Sequence, residues 1–256
     1  MNHPTHHIER PDHLDALPSP TSAYVIAIVG GTCSGKTSVV DILCKKFPNH
    51  VMKIPQDCFY KPGDANTNFD HPDSLELDLA KKLLEEAKAG NDIDIPVYDF
   101  TTHSRKSEVL HLKAKPIIIV EGILVMTHPG LSELCDLKIY IHAELDTMYR
   151  RRLVRDEKER GRKQEDIDIQ WDRFVKPMHL RYVLPSKDRS HIVINNDQHQ
   201  ILEHPDSIPQ INIIITYIDS YLDQLSENCT SSESCTQSDS EDFERYFPAN
   251  PIPEQE

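Results

Sequence analysis

The sequence predicts an α/β fold in which helices flank a parallel β-sheet, and two observations indicate this. Short apolar segments rich in β-branched residues alternate with longer segments whose apolar residues recur at helical spacing. In addition, a glycine-rich segment at residues 30–37 joins the first predicted strand directly to the first predicted helix. Strands that alternate with helices form parallel sheets, and ligands bind at the carboxyl edge of such sheets.

The first strand, loop and helix are the most clearly marked elements. A strand is predicted at residues 23–29, which are apolar throughout and therefore suit a strand covered on both faces. A helix is predicted at residues 38–47, where apolar residues recur three and four positions apart. Between them, the segment GGTCSGKT at 30–37 matches GxxxxGK[ST], the pattern of a phosphate-binding loop or P-loop.

This arrangement has the chemistry of a nucleotide site. Successive backbone N–H groups and the N-terminus of the helix would converge on a polyphosphate. Lys36 would reach its β- and γ-phosphates, and the hydroxyl of Thr37 would bind Mg²⁺. We therefore predict a P-loop NTPase-type sheet whose nucleotide is bound by Gly30, Gly31, Thr32, Cys33, Ser34, Gly35, Lys36, Thr37 and Ser38.

The next elements are a strand, a helix and an edge strand. Residues 51–56 are predicted as a short strand, and Asp57 follows it directly. Residues 73–89 are predicted as a helix, because leucines lie on one face and Gly90 follows the last turn. Residues 92–98 alternate apolar and polar side chains, which predicts an exposed edge or hairpin strand.

The second half of the chain completes the predicted sheet. Strands are predicted at residues 116–120, 137–141 and 191–194, and a helix at residues 146–160. The segment 210–225 is rich in isoleucine, which favours a strand, but its length favours a helix, and we predict a helix.

Two carboxylates end predicted parallel strands, Asp57 after residues 51–56 and Glu121 after residues 116–120. Both should therefore lie at the same sheet edge as the P-loop. Glu121 is placed to organise Mg²⁺, whereas Asp57 could accept the proton of an attacking hydroxyl or help hold the metal. Either residue alone could be a turn, cap or salt-bridged acid, but their common position beside the P-loop favours catalysis.

Composition sets the class of the chain. Its 256 residues, 38% of them hydrophobic, suffice for one α/β domain. No apolar run approaches the ~20 residues of a membrane span, and residues 1–22 lack the apolar core of a secretory signal. We therefore expect no membrane partner. The six cysteines show no metal-binding spacing, and a disulfide between Cys33 and Cys58 beside the phosphates would disable the site, which predicts reduced thiols and a cytoplasmic protein.

Charge is distributed unevenly along a chain whose net charge is −14. Residues 226–256 hold eight acidic residues and one basic residue, which predicts a disordered acidic tail. Residues 150–163 hold eight basic and three acidic residues, which predicts binding of a small polyanion rather than a nucleic acid. The predicted organisation is a disordered segment at 1–22, one domain at 23–225 with a helical lid at about 150–170, and the tail.

Seven segments occur in the order found in one enzyme family. Together they resemble the uridine–cytidine kinases over about residues 24–225, and the middle segments are the most specific. The segments are GGTCSGKTS (30–38), QDCFYK (56–61), NFDHPDSLELDL (68–79), VYDFTTHSRK (97–106), IIVEGILV (118–125), RDEKERGR (155–162) and FVKP (174–177).

The resemblance implies an activity and its cofactors. The family transfers the γ-phosphate of ATP, with Mg²⁺, to the 5′-hydroxyl of uridine or cytidine, which gives UMP and CMP in pyrimidine salvage. It also implies a P-loop sheet with a small β-hairpin substrate region, a helical lid and a homo-oligomer, often a tetramer. By this resemblance Asp57 is the catalytic base, Thr37 and Glu121 organise Mg²⁺ with Asp57, and Lys36 contacts the phosphates.

The resemblance assigns the nucleoside and lid residues as well. Asp70 accepts hydrogen bonds from the ribose hydroxyls, with Tyr60 and Phe69 beside the nucleoside. Further roles are ribose contacts for Arg152, Arg162 and Gln170, a pyrimidine pocket for Tyr98, Phe100 and His103, and lid contacts to the phosphates for Arg155, Arg160 and Arg162. The aromatic residues could instead be core residues, and the arginines could form helix-face ion pairs.

Some positions depart from the family pattern, and other functions remain as alternatives. Cys33 and Cys58 replace smaller family residues, and Asn195–Asp197 replace a Pro-Arg-Gly segment near the nucleotide, which leaves the adenine-side contacts open. A phosphoribulokinase-like or pantothenate kinase-like enzyme would share the P-loop and Asp57 but would not require an aromatic base pocket. A regulatory GTPase would require an NKxD motif, which the sequence lacks.

Overall fold

The computed structural model describes residues 22–64, 66–197 and 208–229. Its centre is a five-stranded parallel sheet with the order β2-β5-β1-β6-β7, which confirms the predicted fold class. The strands are β1 (Tyr24–Gly30), β2 (Val51–Pro55), β5 (Ile117–Gly122), β6 (Leu137–His142) and β7 (Ile192–Asn195).

Both faces of the sheet are covered, which explains why its central strands are apolar throughout. Along β1, Val25, Ala27 and Val29 pack into one core, and the alternate residues pack into a second core on the opposite face. The described helices are α1 (Lys36–Lys46), α2 (Leu77–Lys88), α3 (Pro129–Leu134), α4 (Leu145–Arg160), α5 (Gln164–Gln170), α6 (Lys176–Met178) and α7 (Pro209–Cys229).

A separate antiparallel hairpin stands beside the main sheet. It consists of β3 (Ile93–Asp99) and β4 (Ser104–Leu112), so residues 92–98 do form a hairpin strand as predicted. The register shifts between Pro96 and Tyr98, where a bulge redirects the end of β3. The turn closes at His103, whose φ of 50° lies in the left-handed region.

Two helical features differ from the sequence prediction. Helix α2 begins at Leu77 rather than at Asp73, because Pro72–Ser74 form a separate 3₁₀ turn capped by the His71 side chain. Beyond α5 the chain remains helical to Arg189 through π-helical turns at Trp171–Val175 and His179–Val183, which the sequence did not predict.

The remaining expectations concern the ends of the chain. The segment 210–225 is helical, as predicted, and α7 continues to Cys229. The predicted disordered segments at 1–22 and 226–256 otherwise lie outside the described residues. Among the described residues, no helix combines the length and apolar character that a membrane crossing requires.

Candidate active site

The P-loop lies between the end of β1 and the start of α1. Gly30 ends the strand, residues 31–34 form the loop, and Lys36, Thr37 and Ser38 form the first helical turn. Gly35 precedes the helix with a φ of 102°, a conformation that favours glycine. Because neither a capping side chain nor an acidic residue fills this turn, its backbone N–H groups suit an anion.

The side chain of Lys36 contacts the P-loop. Its Nζ donates a hydrogen bond to the carbonyl of Gly31 at 2.8 Å. Burial lowers the pKa of Lys36, and the nearby carboxylates of Glu121 and Asp57 partly oppose this shift. The ammonium group is therefore held among the carboxylates of the site, poised for a phosphate.

Thr37, Asp57 and Glu121 converge beside Lys36, as predicted from their positions after strands. The hydroxyl of Thr37 lies 3.5 Å from a carboxylate oxygen of Glu121, and Asp57 lies in a 3₁₀ turn, Gln56–Phe59, directly after β2. Burial raises the pKa of both carboxyl groups, and the charge of Lys36 opposes the shift in each case. Hydroxyl and carboxylate oxygens are the ligands that Mg²⁺ takes in proteins, so this donor set fits the ion.

Two buried polar residues that sequence reasoning missed support these carboxylates. The side-chain oxygen of Gln56 accepts a hydrogen bond from the backbone N–H of Leu124 at 2.6 Å, which ties the end of β2 to the segment after β5. Lys53 is 8% exposed and lies 3.5 Å from Asp41, and its charge opposes the rise that burial causes in the pKa of Glu121. Gln56 occurs in the quoted QDCFYK segment, whereas Lys53 has no sequence signal of its own.

Aromatic side chains cluster beside Asp57, and we call this cluster the nucleoside slot after the ligand that the family resemblance implies. The ring of Tyr60 lies 5.5 Å from those of both Phe69 and Tyr98. The ring of His103 stacks on Phe69 at 5.1 Å, and Phe100 meets Tyr98 edge-on at 5.2 Å. The structure therefore brings together all five residues that the sequence assigned to this region.

Tyr98 carries the most informative polar atom of the slot. Its hydroxyl is buried and has no hydrogen-bond partner among the described residues, although buried polar atoms are normally paired. Burial raises the pKa of Tyr98, and the charge of Asp57 adds to the shift. The slot thus offers stacking surfaces and a polar group to a ligand close to Asp57.

Arg105 fixes the hairpin against the turn that holds Asp57. Its guanidinium donates to the carbonyls of Tyr60 at 3.1 Å and Phe59 at 3.0 Å, and to Glu76 at 2.6 Å. One side chain therefore joins three segments around the slot. Arg105 lies inside the quoted YDFTTHSR segment, but the sequence alone gave it no role.

Asp70 lies in the loop between the slot and α2. The hydroxyl of Ser74 donates to the carbonyls of Phe69 and His71, which holds this loop in place. Burial raises the pKa of Asp70, the charge of Arg152 opposes this shift, and Asp57 reinforces it. The charges of Asp70 and Asp57 therefore interact within the site.

The predicted lid arginines gather at the carboxyl end of α4. Arg152 donates to the hydroxyl of Thr32 in the P-loop at 3.2 Å. Gln170 of α5 accepts hydrogen bonds from Arg152 at 3.4 Å and from Arg162 at 3.1 Å. Arg155 and Arg160 act on the pKa of Asp57, so the cluster faces the candidate catalytic carboxylate.

The P-loop is also supported from behind by residues that the sequence did not single out. The side chain of Asn196 donates to the carbonyl of Ser34 at 2.8 Å, and Arg151 donates to the carbonyls of Asn196 at 2.7 Å and Cys33 at 3.4 Å. The ring of His179 packs against Gly31, and burial lowers its pKa to about 4. Asn196 belongs to the segment that departs from the family pattern, and here it contacts the P-loop itself.

Comparisons with known proteins identify relatives of this chain. The sequence model of the phosphoribulokinase / uridine kinase family matches residues 25–202. A uridine kinase of Oceanobacillus iheyensis is 39% identical over 178 residues, which are 66% of this chain and 85% of that protein. A uridine-cytidine kinase B of Dictyostelium discoideum is 36% identical over 209 residues, which are 78% of this chain and 83% of that protein.

Solved structures share the fold at lower sequence identity. A putative fructose transport system kinase from Silicibacter matches with a TM-score of 0.56 at 15% identity, covering 68% of this chain and 90% of that one. A phosphoribulokinase from Rhodobacter spheroides matches with a TM-score of 0.54 at 14% identity, covering 69% and 71%. With the family match and the sequence relatives, it follows that the chain belongs to the phosphoribulokinase/uridine kinase family.

Proposed function

We propose that this protein transfers the γ-phosphate of MgATP to the 5′-hydroxyl of uridine and cytidine, giving UMP and CMP. The observation that carries the proposal is the position of Asp57. Its charge interacts both with Lys36 of the P-loop and with Tyr98 of the nucleoside slot. A carboxylate close to both a phosphate cradle and an aromatic slot suits transfer from one ligand to the other.

The nucleotide end of the site uses backbone and charge. The P-loop N–H groups would hold the β- and γ-phosphates, and the ammonium of Lys36 would neutralise part of their charge. Thr37, Glu121 and Asp57 would hold Mg²⁺, either directly or through water, because they supply the oxygen donors that it prefers. When bound, Mg²⁺ would supply positive charge that offsets the negative charge developing on the phosphates during transfer.

The nucleoside end uses stacking and directed hydrogen bonds. A neutral pyrimidine suits a pocket of aromatic faces with a few polar groups, which Phe69, Tyr98 and His103 provide. Asp70 suits a ribose because one carboxylate can accept hydrogen bonds from both of its hydroxyls. The base and the sugar are thereby oriented with the primary alcohol toward Asp57.

The chemical step needs a proton acceptor and a means to stabilise charge. Asp57 accepts the proton of the 5′-hydroxyl as the hydroxyl oxygen attacks the γ-phosphorus. The bond between that phosphorus and the β,γ-bridging oxygen breaks, and ADP leaves. The planar donors of Arg155, Arg160 and Arg162 match the oxygens of the phosphoryl group in transit. Holding these groups in place before the reaction is the main contribution that a protein makes to phosphoryl transfer.

A second candidate is another P-loop small-molecule kinase, such as a phosphoribulokinase-like or pantothenate kinase-like enzyme. The family description and the shared fold of the Rhodobacter phosphoribulokinase favour it. However, an anionic sugar phosphate does not need the half-buried stack of Phe69 and His103. We therefore place the pyrimidine nucleoside first.

The direct test supplies the purified full chain with MgATP and a panel of acceptors. The panel contains uridine, cytidine, adenosine, pantothenate and ribulose 5-phosphate, with ADP release and the phosphorylated product both measured. We expect UMP and CMP as products, and no such products from the Lys36→Met control. Faster turnover of pantothenate or ribulose 5-phosphate than of either pyrimidine nucleoside would refute the proposal. Sedimentation of the same sample tests the expected homo-oligomer.

A further inference from the structure

Asp156 is buried at the centre of the arginine cluster. The carboxylate is inaccessible to solvent, and its Oδ1 accepts hydrogen bonds from two nitrogens of Arg155 at 2.9 and 2.8 Å. Its Oδ2 accepts one from Arg162 at 3.0 Å. Arg160 lies 3.5 Å from Oδ1, and Arg152 lies 3.6 Å from Oδ2. One carboxylate thus contacts every arginine that we assign to the substrates.

Local sequence explains how four arginines reach one acid. Arg152 and Arg160 lie four residues before and after Asp156, so one turn of α4 places each beside it. The helix then ends at Gly161, whose φ of 60° reverses the chain. This reversal lets the backbone N–H of Arg162 donate to the carbonyl of Asp156 at 3.0 Å and returns the Arg162 side chain to the cluster.

Electrostatics require a negative charge at this point. Four guanidinium groups in close proximity repel one another, and Asp156 reduces their summed charge from +4 to +3. Burial favours the neutral acid, but the charges of Arg155, Arg152 and Arg160 prevail and hold the pKa of Asp156 below its usual range. Each guanidinium has five N–H donors, so donors remain for phosphate oxygens after Asp156 is satisfied.

The cluster extends to both proposed substrate sites. Arg152 donates to Thr32 of the P-loop at 3.2 Å. At the other end, the guanidinium of Arg160 lies 5.6 Å from the centre of the Phe100 ring in the nucleoside slot, within the range of a cation–π contact. An acid that fixes these arginines therefore fixes positive charge relative to both ligands.

We propose that Asp156 is a positioning residue for phosphoryl transfer, holding Arg152, Arg155, Arg160 and Arg162 between the P-loop and the nucleoside slot. The inference rests on the proposed function. Asp156 acts through the arginines rather than on the reacting atoms. Its contribution is preorganisation, because charges fixed before the reaction need no reorganisation as the phosphoryl group moves.

The test compares Asp156→Asn with Glu157→Gln. Both replacements exchange a carboxylate for an amide of nearly the same size on α4, but Glu157 is exposed. We expect Asp156→Asn to lower kcat by about 100-fold, the scale of a misplaced catalytic group, while Glu157→Gln stays within about twofold. Calorimetric titration with MgADP shows whether the P-loop still binds nucleotide in the variant. Because Asp156 acts on the arginines and not on the P-loop, Asp156→Asn should keep the dissociation constant of MgADP within about fivefold of the wild-type value.

A double-mutant cycle with Arg162→Gln tests whether Asp156 affects kcat through the arginines that it contacts. If Asp156 acts through the arginines, the losses in kcat from Asp156→Asn and Arg162→Gln should not multiply in the double variant. Full multiplication would overturn the proposal, as would a kcat for Asp156→Asn within about threefold of wild type. If Asp156→Asn does not fold, Asp156→Glu is used in its place to test the proposal. This variant keeps the negative charge but moves the carboxylate by one methylene. A loss in kcat above about fivefold supports positioning, and a smaller loss overturns it.

These outcomes are separable from a failure of the proposed function. Absence of nucleoside phosphorylation by the wild-type chain would remove the function itself. A wild-type chain that is active, with Asp156→Asn equally active, would remove only the role of Asp156.

Discussion

At the scale of single residues, Asp57 combines two properties that suit a catalytic base. It lies near the cationic groups of Lys36, Arg155 and Arg160, which favour its charged form, and it is half-buried, which disfavours that form. Burial prevails and raises its pKa, which makes the carboxylate a better proton acceptor than an exposed aspartate. The same carboxylate is positioned next to the donor set that suits Mg²⁺.

We therefore expect Asp57→Asn to lower kcat by about 10²- to 10⁴-fold, the usual contribution of a general base. The amide is isosteric but cannot accept the proton. Steady-state kinetics with uridine measures the loss, and MgADP calorimetry serves as the control, since the P-loop is untouched. A variant with kcat close to wild type would remove Asp57 from the catalytic role.

His103 is the residue of the slot best placed to distinguish uracil from cytosine. Its ring is stacked on Phe69 and is held at the turn of the hairpin with a φ of 50°. The two bases differ at one edge, where a carbonyl replaces an amino group, so an imidazole that can donate or accept would read that edge.

We expect His103→Ala to raise KM for the nucleosides by about 10-fold and to change the uridine-to-cytidine ratio of kcat/KM, because a hydrogen bond to the base is lost. His111→Ala is the matched control, because His111 lies on the same hairpin with its side chain 53% exposed. Competition assays with both nucleosides measure the ratio. An unchanged ratio with an unchanged KM would show that His103 does not contact the base.

At the scale of elements, the sequence predicted what depends on local pattern. The apolar strands and the P-loop were predictable, because an unbroken apolar run and a glycine-rich motif are visible in neighbouring residues. The helix α7 was predicted from the length of its apolar segment, since its isoleucines favoured a strand. Strand β4 was missed, because the side chains of Ser107, Glu108 and Val109 are exposed and carry no apolar alternation.

Contacts between distant elements were not predictable in this way. Asp156 fits an ordinary helix-face ion pair at i, i+4 spacing, and only the folded chain shows that it is buried among four arginines. The contact between Asn196 and the carbonyl of Ser34 joins residues 162 positions apart. Residue types carry no signal for such a pair, although the family resemblance did mark this segment as near the nucleotide.

The loop after β7 acts as an element that shapes the P-loop. We expect Asn196→Ala to raise KM for ATP by about 5- to 30-fold, the effect of losing one buried hydrogen bond to the loop, with a smaller change in kcat. Asn195→Ala is the matched control, since Asn195 is the preceding residue and is exposed. An equal effect of both variants on KM for ATP would show that the contact to Ser34 does not support the loop.

At the scale of the whole molecule, the charged groups of the site lower the free energy of unfolding. Burial raises the pKa of Asp57, Asp70 and Glu121, so the ionised form of each is less stable in the folded chain than in the unfolded one. It also lowers the pKa of Lys36. Such a concentration of unfavourable, half-buried charge is typical of active sites, where function is maintained at the expense of folding free energy.

We accordingly expect Asp70→Asn to unfold at a higher temperature than wild type at pH 7 to 8, by about 1–4 °C, while its KM for nucleosides rises. The sign follows from the raised pKa. The stability that a raised carboxyl pKa contributes is fully present below the unfolded pKa and is lost as pH rises through the folded pKa. At neutral pH the wild-type carboxylate is therefore destabilising, and the neutral amide removes that cost.

The same argument fixes the pH dependence of the difference. As pH falls through the raised pKa of Asp70, the wild-type carboxyl group becomes protonated and the gap in unfolding temperature between the two proteins should close. Thermal unfolding in EDTA, followed by circular dichroism from pH 5 to 8, measures the gap without bound metal. Glu157→Gln provides the control for loss of one exposed negative charge. A gap that widens toward acid pH, or an Asp70→Asn protein less stable than wild type at pH 8, would mean that the attraction of Arg152 outweighs the cost of burying Asp70.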